Sequence, residues 1–477
     1  MPKAKPDVMA VVLAGGRVDE LSVLTAHRPK SAVPFGGFAR VIDFALSNLM
    51  QSGLELVAVL SQYRSFSLIN HIGIGASWDM IGRHRGVFVL PPYQGFGQSS
   101  WYRGTADAVR QNLDFIQFHA PETILVLSGD HVYHMDYREI IAYHRQKGAD
   151  CTFACVEVPD SLAHRFGVAE IDDEDGRIGG RVLQYQEKPA EPCSRWASMT
   201  VYCFKPRVLY ELLAANARED ESFEFGRDIL PRAMATHRKV YGYKFRGYWG
   251  YTRTIEEYWQ TSMDLLGYQP RLPLEQWGIR TNLEQRDIRD CPPLKVGEEA
   301  VISNSLVYNG CQVEGRVENS VLFPGVQVKP GAVVRDSVLF FDNVVGRDCH
   351  LEKVVSDVNV TVGDGVVIGV PGPPAAGEAT GAGRASGAEN LAGGESGGAT
   401  TTVTVLGWNN QIPAGMVIGG RACTTLSFPW SGKNGPSAGR RRGGAAMSRK
   451  QDDPLVLLLA GGVGSRLNNL VQSRAKP

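Results

Sequence analysis

Glycine turns, carboxylates and basic side chains follow short apolar runs in the first third of the sequence. Asp130 comes directly after the run TILVL, where a carboxylate could hold a divalent ion for phosphoryl chemistry. Gly15 and Gly16 end the run VVLAGG, so backbone N–H groups there could bind phosphate at the carboxyl edge of a sheet. Arg28 and Lys30 lie close behind that turn and could meet the phosphate charge. The pattern predicts a phosphate site. An Asp that caps a helix and basic residues on a solvated surface would produce the same sequence pattern.

Two later segments extend this predicted site. The stretch WYRGTADAV places Gly104 and Thr105 at a helix start, where they could approach a base or a ribose. The stretch YQEKP places Lys188 at a strand end, where its ammonium group could meet a second phosphate. The residue types therefore predict a nucleotide pocket with more than one phosphate contact.

The hydrophobic period changes near residue 295 and divides the chain. Before it, short apolar runs alternate with longer amphipathic stretches, which predicts a mostly parallel α/β sheet over residues 8–290. After it, small β-branched residues recur every six positions, which is typical of a parallel β-helix, here over residues 296–425. A β-sandwich, the alternative, would alternate with period two. The ladder positions are Val307, Val313, Leu322, Val328, Val334, Val338, Val344, Val362, Ile368, Ile412 and Ile418.

Two segments have little to bury. Residues 371–400 consist mainly of Gly, Ala, Ser and Glu, and we expect a disordered loop there. Because the ladder resumes at Ile412, this loop interrupts the β-helix and does not end it. Residues 431–446 are expected to form a linker, whose RRR run we interpret as a solvated spacer.

The charge balance and the cysteines exclude several functional classes. Lys plus Arg and Asp plus Glu number 50 each among 477 residues, so no global charge favours nucleic acid or an anionic membrane. The 8 cysteines form no CxxC pair and no metal-like grouping with His, which predicts reduced thiols and a cytoplasmic protein. No apolar run reaches the roughly 18 residues that a membrane helix needs.

The order of the motifs resembles the ADP-glucose pyrophosphorylase family, also called glucose-1-phosphate adenylyltransferase. The matching segments, over about residues 8–425, include AGG, RPK, AVPFGG, WYRGTADAV, LSGDHVYHMDY, QEKP, FEFGRDILP and GYWGYTRTIEEYW, followed by the ladder. The resemblance implies a Rossmann-like nucleotidyltransferase sheet followed by a left-handed parallel β-helix of hexapeptide repeats. It also implies an allosteric tetramer that, with Mg²⁺, converts ATP and glucose 1-phosphate to ADP-glucose and pyrophosphate for glycogen or starch.

The resemblance also implies roles for individual residues. Lys30 and Asp130 match the family's catalytic positions, and Asp130 matches its metal ligand. The nucleotide-binding positions are matched by Gly15, Gly16, Arg28, Gly104, Thr105 and Asp107. The positions that bind glucose 1-phosphate are matched by Tyr102, Glu187, Lys188 and Ser198.

Three positions depart from the family pattern where phosphoryl transfer needs them. The family loop reads like GGVGSRL near the end of this chain, whereas the first copy has Val18 and Glu20 in place of Gly464 and Arg466. Val18 restricts the backbone, and Glu20 puts a negative charge where an arginine would stabilise the departing pyrophosphate. Tyr251 replaces the family's second metal-binding aspartate, and a protonated phenol is a poor Mg²⁺ ligand.

These departures give three functional hypotheses. The favoured one is a regulatory subunit of a hetero-tetramer in which a catalytic paralogue carries out the chemistry. The second is an active adenylyltransferase in which Arg17 substitutes for the missing arginine. The third, a β-helix scaffold or acyltransferase, is disfavoured because the front domain carries the whole set of substrate motifs.

The last part of the chain indicates what the catalytic paralogue would be. Residues 447–477 align with the start of the chain without a gap, with Met447 against Met1. They resemble the truncated start of a second, catalytically complete nucleotidyltransferase domain, joined by fusion or by a reading-frame artefact. An evolved regulatory peptide is the alternative, but it does not explain the shared offset.

Overall fold

A computed structural model of the chain describes residues 6–16, 18–82, 85–92, 101–172, 174–219, 222–369 and 403–418. The predictions of a disordered loop at 371–400, a linker at 431–446 and a second domain start at 447–477 fall outside the described residues, as does Arg17. No helix within the described ranges is long and apolar enough to cross a membrane.

A nine-stranded sheet forms the centre of the part before residue 295, which we call the α/β part. Its strands and two small flanking pairs are β1 (Val8–Leu13), β2 (Pro34–Phe35), β3 (Ala39–Arg40), β4 (Leu56–Leu60), β5 (Gly86–Leu90), β6 (Thr123–Ser128), β7 (Val132–Tyr133), β8 (Cys151–Glu157), β9 (Gly167–Ile171), β10 (Gly179–Glu187), β11 (Trp196–Phe204), β12 (Val240–Phe245) and β13 (Trp249–Gly250). The sheet order is β5-β4-β1-β6-β11-β8-β12-β10-β9, and every strand runs in one direction except β10 and β11. The predicted mostly parallel α/β sheet is confirmed.

Helices cover both faces of this sheet, so its central strands are apolar on both sides. In β1, Ala10 and Val12 pack in one buried cluster, and Met9 and Val11 pack in the cluster on the opposite face. The α-helices are α1 (Val41–Gln51), α2 (Phe66–Ile72), α3 (Thr105–Gln111), α4 (Leu113–His119), α5 (Tyr137–Gln146), α6 (Asp160–Ala163), α7 (Pro206–Glu219), α8 (Leu230–Ala235), α9 (Ile255–Met263) and α10 (Leu274–Trp277). Short 3₁₀ segments lie at Asp19–Thr25, Lys30–Ala32, Ala76–Trp78 and Gln285–Asp290, and a π-helical turn at Phe225–Ile229.

The second part is a parallel β-helix with three flat walls, as predicted. Its strands are β14 (Lys295–Val296), β15 (Val301–Ser303), β16 (Leu306–Val307), β17 (Gln312–Val313), β18 (Arg316–Glu318), β19 (Val321–Leu322), β20 (Gln327–Val328), β21 (Val333–Arg335), β22 (Val338–Leu339), β23 (Val344–Val345), β24 (His350–Glu352), β25 (Val354–Ser356), β26 (Thr361–Val362), β27 (Val367–Ile368), β28 (Thr404–Leu406), β29 (Gln411–Ile412) and β30 (Val417–Ile418). Every third strand belongs to the same wall, and all pairs within a wall are parallel. The pairing of β25 with β28 continues the walls across residues 370–402.

The six-residue ladder is right for most of its positions and one residue off at two of them. Inside the β-helix, Leu339 and Val345 are buried where the sequence predicts Val338 and Val344. Val338 instead packs outward against the α/β part, and Val344 is half-buried. Because a shift of one residue in a strand reverses the side that a side chain faces, two adjacent valines make this register ambiguous in the sequence.

The β-helix packs against the segment that follows β1. A shared buried cluster joins Leu21, Leu24 and Phe35 to Phe323 and Phe340 of the β-helix. The chain between β1 and α1 is therefore held between the sheet and the β-helix. This matters for the site, because the same segment carries the glycine turn and Lys30.

Candidate functional site

Two adjoining clefts open where the parallel strands of the sheet end, which is where ligands bind in such folds. The first cleft has a volume of about 460 Å³ and follows β1, β4 and β6. The predicted residues that line it are Gly15, Gly16, Lys30, Tyr102, Gly104, Thr105 and Asp130. The second cleft, of about 420 Å³, is lined by the predicted Thr105, Glu187, Lys188 and Ser198.

The glycine turn after β1 forms one wall of the first cleft. A Cβ atom on Gly15 would lie 2.9 Å from the backbone N of Gln62, so this close approach requires glycine. A Cβ atom on Gly16 would meet nothing within 4 Å, since this residue faces open space. The chain then turns at Val18, whose carbonyl oxygen accepts a 2.8 Å hydrogen bond from the Thr25 hydroxyl.

A buried ion pair lies at the bottom of the first cleft. Lys30 Nζ is 3.2 Å from Asp130 Oδ2 and donates a 3.0 Å hydrogen bond to the Tyr251 carbonyl oxygen. The Lys30 side chain is 3% exposed, whereas that of Asp130 is 28% exposed and faces the cleft. The other carboxylate oxygen of Asp130 accepts a hydrogen bond from the Ser128 hydroxyl and lies 3.4 Å from His131 Nε2.

The ionisation of this pair follows from burial and mutual attraction. Burial opposes the charge on Asp130, but the Lys30 ammonium and the hydrogen bond from Ser128 outweigh it and hold the pKa of Asp130 well below its usual value. Burial lowers the pKa of Lys30, and Asp130 opposes that change. Burial also lowers the pKa of His131 to about 4, against the attraction of Asp130. The imidazole next to the pair is therefore neutral at physiological pH.

The second cleft holds a carboxylate in a fixed position. Glu187 Oε2 accepts a 2.6 Å hydrogen bond from the Tyr185 hydroxyl. Cβ atoms placed on Gly167 and Gly226 would lie 2.6 and 2.3 Å from the same oxygen, so both glycines make room for it. Lys188 follows directly with φ +46°, a left-handed conformation that a non-glycine residue adopts at an energetic cost.

The two clefts share a wall. Thr105, His131, Thr200, Glu224, Tyr251 and Arg253 line both of them. Thr200 has φ +56° and lies where the pairing of β11 with β8 shifts register, between Ser198 and Tyr202. An irregular strand beside a cleft redirects side chains, and here it brings Ser198 and Thr200 to the second cleft.

Three predicted residues lie elsewhere than expected. Arg28 does not line either cleft, because Arg28 Nη2 donates a 2.8 Å hydrogen bond to Asp357 Oδ1 of the β-helix. Asp107 is fully buried in the first turn of α3, where its carboxylate accepts hydrogen bonds from Arg103 N, Arg110 and Gln111. Tyr102 lines the first cleft, whereas the residues with which the resemblance groups it, Glu187, Lys188 and Ser198, line the second.

Sequence reasoning missed several residues of the shared wall. Glu224 accepts a 2.6 Å hydrogen bond from the Thr105 hydroxyl and so ties α3 to the segment before the π-helical turn. His131 directly follows Asp130 in the sequence, and this adjacency was a usable signal. Arg253 stands in the segment GYTRT, two residues after the departure at Tyr251, and nothing in the sequence showed which way it points.

Comparison with known proteins agrees with this geometry. The sequence profile of the family described as Nucleotidyl transferase matches residues 9–267, and that of GlmU-like, C-terminal hexapeptide matches residues 294–373. A glucose-1-phosphate adenylyltransferase of Fervidobacterium nodosum is 41% identical over 367 residues, which is 76% of this chain and 86% of the relative. The chain belongs to the glucose-1-phosphate adenylyltransferase family. The chain is also similar to two relatives of the same name. The one from Desulfitobacterium hafniense is 41% identical over 362 residues, which is 75% of this chain and 88% of the relative. The one from Clostridium perfringens is 42% identical over 339 residues, which is 70% of this chain and 84% of the relative.

Two of the three positions that the resemblance marks as unusual, Glu20 and Tyr251, contact the same side chain. Arg253 Nε donates a 3.0 Å hydrogen bond to Glu20 Oε1, and Arg253 Nη1 donates a 3.3 Å hydrogen bond to the Tyr251 hydroxyl. A hydrogen bond from its own backbone N–H and the Arg253 guanidinium hold the pKa of Glu20 below its usual value, against partial burial. Glu20 and Tyr251, which lie 231 positions apart in the sequence, thus share one arginine.

Nucleotidyltransferases generally use a divalent metal ion, so the donors in the clefts must be tested against one. Within the described ranges, no group of three or more His, Cys, Asp or Glu side chains could hold a metal. Asp130 already contacts Lys30, Ser128 and His131, and the carboxylate of Glu224 accepts from Thr105. Burial raises the pKa of Tyr251, so its phenol stays protonated. These donors do not form a site that holds a divalent ion by protein groups alone, and Asp130 remains as a carboxylate that would hold Mg²⁺ together with the phosphates of a bound nucleotide.

Proposed function

We propose that this protein is a regulatory subunit of glucose-1-phosphate adenylyltransferase that binds the substrates and leaves the chemistry to a catalytic paralogue. In the family reaction, an oxygen of the glucose 1-phosphate phosphoryl group attacks the α-phosphate of ATP, and pyrophosphate leaves. The observation that carries the proposal is the 3.0 Å ion pair of Glu20 with Arg253 beside the shared wall. By the family resemblance, this carboxylate stands at the position where the reaction needs a cation.

The substrate side of the proposal rests on the two clefts. ATP occupies the first cleft, with its phosphates near the backbone of Gly15 and Gly16 and near Lys30. The base and ribose lie against Gly104 and Thr105 at the start of α3. A strand-to-helix crevice of this kind supplies fixed N–H donors, so binding needs little rearrangement.

Glucose 1-phosphate occupies the second cleft. Lys188 supplies a cation for its phosphate, and the fixed carboxylate of Glu187 accepts hydrogen bonds from sugar hydroxyls. Ser198 lines the same cleft and completes the sugar side. Both substrates then approach the shared wall from opposite sides.

Binding alone does not accelerate adenylyl transfer, because catalysis requires interactions that strengthen in the transition state. Negative charge develops on the departing pyrophosphate, and a carboxylate at Glu20 opposes it. Tyr251 offers a neutral phenol where a second carboxylate would bind metal. Mg²⁺ accordingly enters this proposal only as the ion that ATP carries in solution.

The partner side of the proposal is a hetero-tetramer in the cytoplasm. The seven cysteines among the described residues carry free thiols, which suits a reducing compartment. Residues 447–477 resemble the start of the catalytic partner. A regulatory chain acts on that partner only if it contacts the partner's active and inactive states differently.

Co-expression tests this role. The tagged full chain is produced together with an intact adenylyltransferase of the family whose first residues match residues 447–477. We expect the two chains to co-purify, and the ADP-glucose synthesis of the complex to respond to a panel of sugar phosphates differently from that of the catalytic chain alone. Separate elution of the chains with identical effector curves would refute the regulatory role.

A further inference from the structure

Arg253 is the cation that both clefts share. It lines both of them, and its side chain is 39% exposed, so a ligand in either cleft can reach its guanidinium. Its backbone is fixed by the helix that follows, because Arg253 N donates a 3.0 Å hydrogen bond to Glu257 Oε2 in the first turn of α9. The Thr254 hydroxyl caps the same helix.

The neutral side chain of Tyr251 allows the Arg253 guanidinium to lie at the wall that the two clefts share. The Tyr251 ring packs against Phe166 and His131, with ring centroids 4.8 and 5.4 Å apart. Lys30 Nζ lies 5.2 Å from the ring centroid, on the side of the first cleft. The neutral ring attracts the nearby cations only weakly, so the carboxylate partner of Lys30 is Asp130 and that of Arg253 is Glu20.

We propose that Arg253 takes the place of a divalent metal ion as the positive charge that holds the phosphates of a nucleotide or sugar nucleotide in these clefts. The inference rests on the proposed substrate binding and adds that this binding is independent of metal. A guanidinium is always charged and binds phosphate through two parallel N–H donors, so it fixes both position and orientation. A metal ion next to it would be repelled.

Glu20 is the counter-ion of Arg253 when no phosphate is bound. Its carboxylate is 46% exposed and accepts its hydrogen bond from Arg253 Nε at the surface, so a ligand phosphate can displace it. The hydrogen bond from its own backbone N–H and the positive charges of Arg253 and, to a smaller extent, Lys188 lower the pKa of Glu20, so its carboxylate stays ionised beside Arg253. Ligand binding and release of Glu20 are therefore competing events.

The test is the affinity for ADP-glucose by titration calorimetry, in buffer with Mg²⁺ and in buffer with EDTA. We expect the dissociation constant to change less than about threefold between the buffers. Arg253→Gln should weaken binding in EDTA about tenfold or more, since a charge-assisted hydrogen bond is lost, whereas Arg253→Lys should lose less. Glu20→Gln should tighten binding in EDTA, because the competing carboxylate is gone.

Arg85→Gln is the matched control. Arg85 pairs with Glu55 at 2.9 Å with similar exposure, 46% and 44%, and lies outside both clefts. The inference would be overturned if ADP-glucose bound in Mg²⁺ but not in EDTA, and if Arg253→Gln bound it as tightly as Arg85→Gln. The proposed function, that the clefts bind substrates, would still stand in that case. Absence of ADP-glucose binding in both buffers would overturn the proposed function and this inference with it.

Discussion

Neighbouring side chains in one motif reach different parts of the molecule. Lys30 and Arg28 are two positions apart, yet Lys30 turns into the cleft and Arg28 turns to Asp357 of the β-helix. Motif order was enough to predict Lys30 with Asp130. It could not predict the place of Arg28, because the partner lies 329 positions away in the sequence and no local pattern reports it.

Contacts between residues far apart in the sequence also limit what the sequence could show about Val18, Glu20 and Tyr251. The sequence identified Val18, Glu20 and Tyr251 as unusual, and the structure adds Arg253 as the group that joins the last two. An arginine at Glu20 would therefore face a second guanidinium. Repair of the site must include Arg253.

We predict that Val18→Gly, Glu20→Arg, Tyr251→Asp and Arg253→Gly together raise ADP-glucose synthesis in Mg²⁺ by about tenfold or more over the unaltered protein, since all four act on one transition state. Glu20→Arg alone should raise ADP-glucose synthesis very little, because the new arginine would face Arg253. Initial rates with ATP and glucose 1-phosphate are the measurement. A correctly folded fourfold variant without added activity would show that other parts of the site are defective.

Elements with a strong period were predictable, and irregular ones were not. Alternating strands and helices predicted the sheet, and the six-residue ladder predicted the β-helix. The register shift in β11 depends on the strands on either side of it, and the left-handed conformation of Thr200 has no signal in a threonine. The wall that the two clefts share could therefore not be predicted from the sequence.

The contact between α5 and β8 provides a pH prediction at this scale. His144 is buried, and its Nδ1 lies 2.9 Å from the Thr152 hydroxyl. Burial, followed by the charges of Lys205 and Arg145, lowers the pKa of His144 to about 4. The unfolded chain, with a histidine pKa of about 6.5, binds the proton first as pH falls. Stability is therefore lost between these two values and is fully present above the upper one.

We expect urea denaturation to show this loss. Between pH 7.5 and 5.0, the unaltered protein should lose about 2 kcal/mol of unfolding free energy more than His144→Gln, which cannot titrate there. His164 is exposed, and His164→Gln serves as the control for the loss of a solvent-exposed histidine. Parallel profiles for the protein and His144→Gln would contradict the prediction.

At the scale of the whole molecule, the β-helix and the α/β part share one buried interface. The Arg28 and Asp357 side chains are 10% and 0% exposed, and Asp357 Oδ1 also accepts a 2.7 Å hydrogen bond from Val358 N. Tyr308 adds a 2.6 Å hydrogen bond from its hydroxyl to the Gly36 carbonyl oxygen. These contacts hold the segment that carries the glycine turn, so the β-helix supports the nucleotide cleft.

Breaking the buried ion pair on one side should destabilise the protein strongly. Asp357→Leu leaves the Arg28 charge buried without a partner, and we expect a loss of about 3 kcal/mol or more in unfolding free energy. Arg28→Met with Asp357→Leu should recover much of that loss, because no charge is left uncompensated. Chemical denaturation of both variants is the measurement. A double variant as unstable as the single one would indicate that packing, and not charge, dominates this contact.

The most direct test of the central claim, that the clefts bind substrates but do not transfer the adenylyl group efficiently, is the turnover of the purified chain. ADP-glucose formation is measured with saturating ATP, glucose 1-phosphate and Mg²⁺, on a sample whose ADP-glucose binding has been established. We predict a rate about a hundredfold or more below the ~10 s⁻¹ of an ordinary enzyme, because in the proposed role Glu20 stands where a cation would stabilise the leaving group. A turnover near that ordinary value would contradict the claim and identify the chain as an active adenylyltransferase.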